Sequence, residues 1–205
     1  MKRFFIAAAT SCALMATGAT AATLAGEFWD APGGSLATIS DAITYAGANA
    51  SDATFTSTGI DYGNVSTGWL IDDVDDFLKG DSPGGTAGAT DFQESVLKLS
   101  GFVTLTDGDS ITVTSDDGFR LIIGGGTFTE FNGLRGPGGS TTDVWAGGAG
   151  TFAATLWYFE GQTTQAQLIS NLGDYAVMPV PVPAGMVLML TALGGLGVMR
   201  RRAKA

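Results

Sequence analysis

Two aspartates stand side by side at Asp116-Asp117, inside the stretch Ser115-Asp116-Asp117-Gly118-Phe119-Arg120-Leu121-Ile122-Ile123. Adjacent carboxylates repel each other. A shared cation relieves that repulsion, and so does a dense set of backbone N–H donors. Asp and Gly are also ordinary residues of a solvated hairpin turn, so the stretch alone leaves three readings open. A second acidic stretch, Asp72-Asp73-Val74-Asp75-Asp76, repeats carboxylates but lacks the glycine and distal glutamate of an EF-hand loop. The expectation there is a half-turn whose Val74 and Phe77 pack inward while the aspartates stay wet.

Other chemistries are excluded by composition. The sequence has no histidine, which removes Ser-His-Asp and Cys-His catalysis and any His-ligated zinc site. The single cysteine, Cys12, falls in the leader, so the domain carries neither disulfide nor thiol chemistry. An exported domain without disulfides fits a bacterial source.

All 20 acidic residues lie between Glu27 and Asp174, whereas only Lys79, Lys98, Arg120 and Arg135 of the 10 basic residues do, so this middle carries 4 − 20 = −16. Such a surface repels nucleic acid and anionic lipid and attracts divalent cations. Solubility or salt adaptation accounts for most of these aspartates.

The elements that must position the acidic pair read as strands. Gly is abundant at 31 residues, and charged residues make up only 15%, which suits an all-β domain rich in turns. Leu97, Leu99, Val103 and Leu105 share one parity, and Ile111 and Val113 alternate with Thr112 and Thr114. Phe119, Leu121 and Ile123 alternate in the next strand. Phe152 to Phe159 is apolar on both parities, as in a central strand covered on both faces. Ala166 and Leu168 alternate with Gln165 and Gln167. Earlier strands are expected at Gly26–Trp29, Thr54–Thr56 and Ile60–Tyr62, and a short one at Thr127–Phe131. Ser35 to Tyr45 is ambiguous, with Ile39, Ile43 and Ala46 at helical spacing and Ser35 as a cap. Residues 81–90 read as a mobile loop and Asn132 to Gly150 as a long glycine-rich loop.

The ends read as addresses. Residues 1–21 have a basic start, an apolar core and the small residues Ala19-Thr20-Ala21 of a signal peptide. Residues 173–184 form a proline-rich spacer, 185–199 an apolar helix-permissive transmembrane segment, and 200–205 a basic cytoplasmic tail. About 15 apolar residues fall short of the ~17–25 of a comfortable span, which favours a processed tail over a permanent anchor.

This C-terminus resembles the VPLPA-CTERM sorting signals, relatives of the PEP-CTERM system. The residues that carry the resemblance are Val180, Pro181, Val182, Pro183 and Ala184, the apolar segment, and Arg200, Arg201 and Arg202. It implies an exosortase-type membrane protease as partner, passage through the inner membrane, and a cell-surface or extracellular destination of the kind linked to exopolysaccharide and biofilm. Residues 22–172 resemble a PA14 domain, an antiparallel β-sandwich. The matching residues are the Ser115-Asp116-Asp117-Gly118 turn between strands, the aromatic strand Leu156-Trp157-Tyr158-Phe159-Glu160 and the opening Gly26-Glu27-Phe28-Trp29.

In adhesin members of that family an adjacent Asp pair, joined by a cis peptide, holds calcium, and the calcium holds sugar hydroxyls. The resemblance carries this to Asp116 and Asp117. Where the adhesins supply an Asn, this chain has Glu160, with Gln162 and Thr164 as carbonyl donors. Trp145, Trp157, Tyr158 and Phe131 are candidates for a sugar-stacking face, with Trp157 read as core. The expected function is an exported, calcium-dependent glycan-binding or adhesion protein. The alternatives are a ligand-free structural matrix protein, in which the Asp pair binds backbone amides, and, more remotely, a glycoside hydrolase using Asp116, Asp117 and Glu160.

Overall fold

The computed structural model describes residues 23–33, 36–162 and 165–177. The expected signal peptide, Ser35, Thr164, the VPVPA motif at 180–184, the apolar segment 185–199 and the arginine tail lie outside the described residues.

Among the described residues, eleven strands form two sheets. In chain order they are β1 (Leu24–Asp30), β2 (Ala53–Ser57), β3 (Ile60–Tyr62), β4 (Ser95–Leu105), β5 (Ser110–Asp116), β6 (Phe119–Ile123), β7 (Gly126–Phe131), β8 (Ser140–Val144), β9 (Gly150–Glu160), β10 (Gln167–Ser170) and β11 (Ala176–Val177). The larger sheet runs β2-β1-β4-β9-β6-β7, with β11 also paired to β4, and the smaller runs β3-β10-β5-β8. All pairings are antiparallel. Because β11 still pairs with Val103 and Phe102, the sandwich continues past the boundary expected at 172.

The alternation seen in the sequence is the reason for this arrangement. Leu97, Leu99, Val103 and Leu105 of β4 are fully buried, while Phe102 and Thr104 point outward. Successive side chains of a strand face opposite sides, so these positions line the space between the sheets. There they meet Ile111, Val113, Leu121, Leu156 and Leu168 in one cluster. Gly101 falls on the inward parity of β4, and Leu24 fills the place its side chain would take.

The ambiguous stretch is a helix, α1 (Ile39–Ala48), so the domain is mostly rather than wholly β. Its cap is Thr38, whose hydroxyl oxygen accepts from the Asp41 N–H at 3.1 Å, and not Ser35. Ile39, Ala42 and Ala46 face the outer side of the larger sheet, against Trp29, Val96 and Phe159. This second layer explains why the end of β9 is apolar on both parities. Tyr158 faces the sandwich interior and Phe159 the helix, and both are fully buried.

The segment between β3 and β4 is not a simple loop. Asp73 caps a short helix, α2 (Val74–Leu78), accepting from the Asp76 N–H at 2.8 Å. Val74 and Phe77 are fully buried and Asp72 and Asp75 are exposed, as their alternation implies. Residues 81–90, expected as a loop, contain a one-turn helix, α3 (Gly85–Gly88), after a 3-10 turn at Lys79–Asp81. Strand β8 lies inside the stretch expected to be loop. Its Ser140–Val144 backbone pairs with β5, yet no residue in it is buried, so no apolar alternation marks it.

Candidate functional site

The acidic pair sits where β5 ends and β6 begins, and Glu160 closes β9 beside it. Glu160 is therefore the last residue of a central strand rather than the start of a loop. Register brings them together: β9 pairs with β6 through Tyr158 and Phe119, and the main-chain N–H of Asp117 reaches the Phe159 carbonyl at 3.4 Å. Carboxylate oxygens of Asp116, Asp117 and Glu160 all lie within 4.8 Å of one another. The three residues are 4%, 0% and 2% exposed, which rules out the solvated turn.

The Asp116–Asp117 peptide is cis. Asp117 is held at both oxygens by main-chain donors. Oδ1 accepts from the Arg135 N–H at 2.8 Å and Oδ2 from the Gly161 N–H at 2.9 Å. Glu160 Oε1 accepts from the Gln162 N–H at 2.7 Å, and Oε2 lies 3.4 Å from the Tyr158 hydroxyl. That hydroxyl also donates to the Asp116 carbonyl oxygen. The Asp116 carboxylate receives no hydrogen bond among the described residues.

Charge follows from this geometry. Burial, then the neighbouring Asp117 charge, pushes Asp116 up to about 7, against a partial offset from Arg135. Burial, then Asp117, pushes Glu160 up to about 10. Asp117 is also raised by burial, but the Gly161 and Arg135 N–H groups pull it back. Burial raises the Tyr158 phenol well above its usual range, so it stays a donor. Without a cation, then, Glu160 keeps its proton at neutral pH and Asp116 is close to its midpoint. A divalent ion is the natural replacement for these protons, because hard cations favour clustered carboxylate oxygens.

Seventeen solved chains match this structure. A PA14 sugar-binding domain from an RTX adhesin aligns with a TM-score of 0.62 and 25% identity, covering 78% of this chain and 100% of that one. The PA14 domain of MpAFP antifreeze protein aligns with a TM-score of 0.59 and 19% identity, covering 77% and 86%. The fold is that of PA14 domains. No family model and no curated protein sequence matches the chain.

Within this PA14 fold, Asp116, Asp117 and Glu160 converge as the sequence suggested. Gln162 joins them through its main-chain N–H, and Thr164 lies outside the described residues. Beside Glu160, an open recess of about 10 Å³ is lined by Ile71, Phe92, Gln93, Gln162, Gln165 and Ala166. That is room for about one water. The four expected stacking aromatics do not form one face. Tyr158 is fully buried, and Trp157, on the opposite side of β9, packs against Trp29. Trp145 packs between Phe128 and Phe152 and donates to the Gly148 carbonyl at 2.7 Å. Phe131 lies under the Arg135 guanidinium, 4.3 Å from its ring centre.

Sequence reading missed Arg135, Gly161 and the Tyr158 hydroxyl as parts of the site. Arg135 had a signal, being one of only four basic residues in the acidic middle. Gly161 had none, since it contributes a main-chain N–H.

Proposed function

We propose that the chain is an exported surface or matrix protein whose PA14-type domain binds glycans through a calcium ion. The observation that carries this is the Asp116 carboxylate. The residue is 4% exposed, its carboxylate receives no hydrogen bond among the described residues, and it shares a 4.8 Å cluster with two further acids. Three acids gathered in so little solvent are costly to ionise unless a cation pairs with them. Asp116, Asp117 and Glu160 would hold the ion, with Gln162 beside them. Calcium would supply the missing positive charge and vacant coordination positions for vicinal sugar hydroxyls. The RTX adhesin neighbour is a sugar-binding PA14 domain, which agrees with this reading. The C-terminal signal adds processing by an exosortase-type protease at the inner membrane and release to the surface.

Calorimetry of the full chain with calcium tests the reading. Binding is expected in the wild type and absent in Asp116→Ala, and a glycan array is expected to lose its signals in chelator. Lack of calcium binding by the wild type would overturn the proposal. Mass spectrometry of the surface form tests the processing. Finding Arg200 to Ala205 still attached overturns tail removal.

A second reading rests on Asp117, whose two main-chain N–H partners suffice for a purely structural turn. It predicts a domain indifferent to calcium. Hydrolysis fits poorly. Glycosidase carboxylates flank a scissile bond from two sides, whereas these three crowd into one buried cluster.

A further inference from the structure

We infer that Arg135 is the positioning residue of the acidic site, fixing the Asp117 carboxylate by tying the loop that caps it to the end of β5. The loop between β7 and β8 brings the Arg135 main-chain N–H to Asp117 Oδ1 at 2.8 Å. The side chain of the same residue turns back and grips the strand that leads into the pair. Nε donates to the Ser115 carbonyl at 2.9 Å, one terminal nitrogen to Ser115 Oγ at 2.7 Å, and the other to Thr141 Oγ1 at 3.2 Å. Ser115 Oγ in turn donates to the Asp117 carbonyl at 2.6 Å. The guanidinium lies over Phe131 at 4.3 Å and Phe119 at 5.6 Å.

Three acceptors shared among three nitrogens of one side chain that lies over two aromatic rings match a guanidinium and not an ammonium. Gly139 leaves space for it, since a Cβ there would come within 2.6 Å of Arg135 Cδ. The far side of the loop is fastened separately, where the Gly138 N–H donates to Gln167 Oε1 at 2.6 Å. This partner is why Gln167 is buried although its parity suggested a wet position. Arg135 has the same sign as a metal ion and cannot be a ligand. It acts through Asp117, whose other oxygen is then presented to Gly161 and the Glu160 loop.

The calcium arm of the test rests on the function proposed above, and a metal-free arm does not. In the full chain, Arg135→Lys and Arg135→Met are both expected to weaken calcium binding by about 10–100-fold, the usual cost of losing a residue that orients ligands. A purely electrostatic role predicts the opposite for Arg135→Met, because removing a positive charge would tighten calcium. Unchanged or tighter binding overturns the inference. In chelator, amide hydrogen exchange at Gly161 is expected to speed up in both variants. Retained protection there also overturns the inference. If the wild type binds no calcium, the functional reading fails and the exchange arm still decides the role of Arg135. Should the Arg135 variants not fold, Thr141→Val removes one acceptor and keeps the charge. Its Gly161 exchange must rise, and unchanged exchange overturns the inference.

Discussion

Asp116 and Asp117 are consecutive and equally hidden from solvent, yet their carboxylates have opposite surroundings. Asp117 accepts a main-chain N–H at each oxygen, from Arg135 and from Gly161. Asp116 accepts none among the described residues. One acid is an anchor between two loops, and the other is held by no hydrogen-bond donor among the described residues.

That difference predicts unequal effects of alanine substitution in metal-free protein. Asp117→Ala removes two charge-assisted hydrogen bonds and leaves two part-buried donors without their acceptor, at a cost of about 3 kcal/mol. Asp116→Ala removes a carboxyl that accepts no hydrogen bond among the described residues and crowds Asp117, and it is expected to be neutral within about 1 kcal/mol, or stabilising. Urea unfolding in chelator measures both, and equal losses would contradict the division of labour.

Stability without calcium is expected to fall as pH rises. Asp116 and Glu160 have folded-state values of about 7 and about 10, above their ordinary values of 3.8 and 4.5. The folded state therefore binds protons more tightly than the unfolded state over that range. The penalty is absent below the ordinary values, complete for Asp116 near 7, and still growing for Glu160 up to 10. Melting in chelator should drop from about pH 5 to about pH 8, while the gain on adding calcium should rise over the same interval. A melting temperature in chelator that climbs with pH would refute the titration scheme.

Phe77 tests whether the segment before β4 belongs to the core. It is fully buried and stacks on Phe92 at 3.9 Å, with Tyr158 at 5.7 Å. Phe77→Ala is expected to cost about 3–5 kcal/mol, as for other large core truncations. Because Tyr158 also carries the hydroxyl that meets Asp116 and Glu160, calcium affinity should weaken with it. A loss under about 1 kcal/mol would mean the segment is only appended.

Gly118→Ala is predicted to damage the turn by crowding alone. A Cβ there would lie 2.7 Å from the Phe131 carbonyl and 2.9 Å from that of Gly133, and main chain cannot swing aside as a side chain can. Overpacking of this kind costs about 1–3 kcal/mol. Thermal melting is the measurement, and a wild-type melting temperature would show that the β7–β8 loop yields easily.

Strands with one wet face were legible in the sequence, because β4, β5 and β6 each carry a period-two apolar pattern. Strand β8 was not, because an exposed edge strand is held by main-chain bonds to β5 that leave no trace in side-chain type. Helix α1 is ambiguous in the sequence because two of its three buried residues, Ala42 and Ala46, are small alanines that mark an apolar face weakly although their spacing is helical. The stacking aromatics were misplaced for a related reason. Aromatic residues serve a core as well as a sugar, and only packing tells which.

The sequence by itself determined the acidic middle, the absence of histidine and of any cysteine after Cys12, the alternating strands and the Asp-Asp-Gly turn between two of them. These are properties of composition and of short-range periodicity. Only the tertiary structure decided that Glu160 joins the pair, that Arg135 and Gly161 each donate an N–H to Asp117, and that the Asp116 carboxylate receives none among the described residues. Those outcomes depend on the register of β6 against β9 and on where two distant loops deliver their main-chain N–H groups. Every residue but proline has such a donor, so nothing in residue type announces which one will be used.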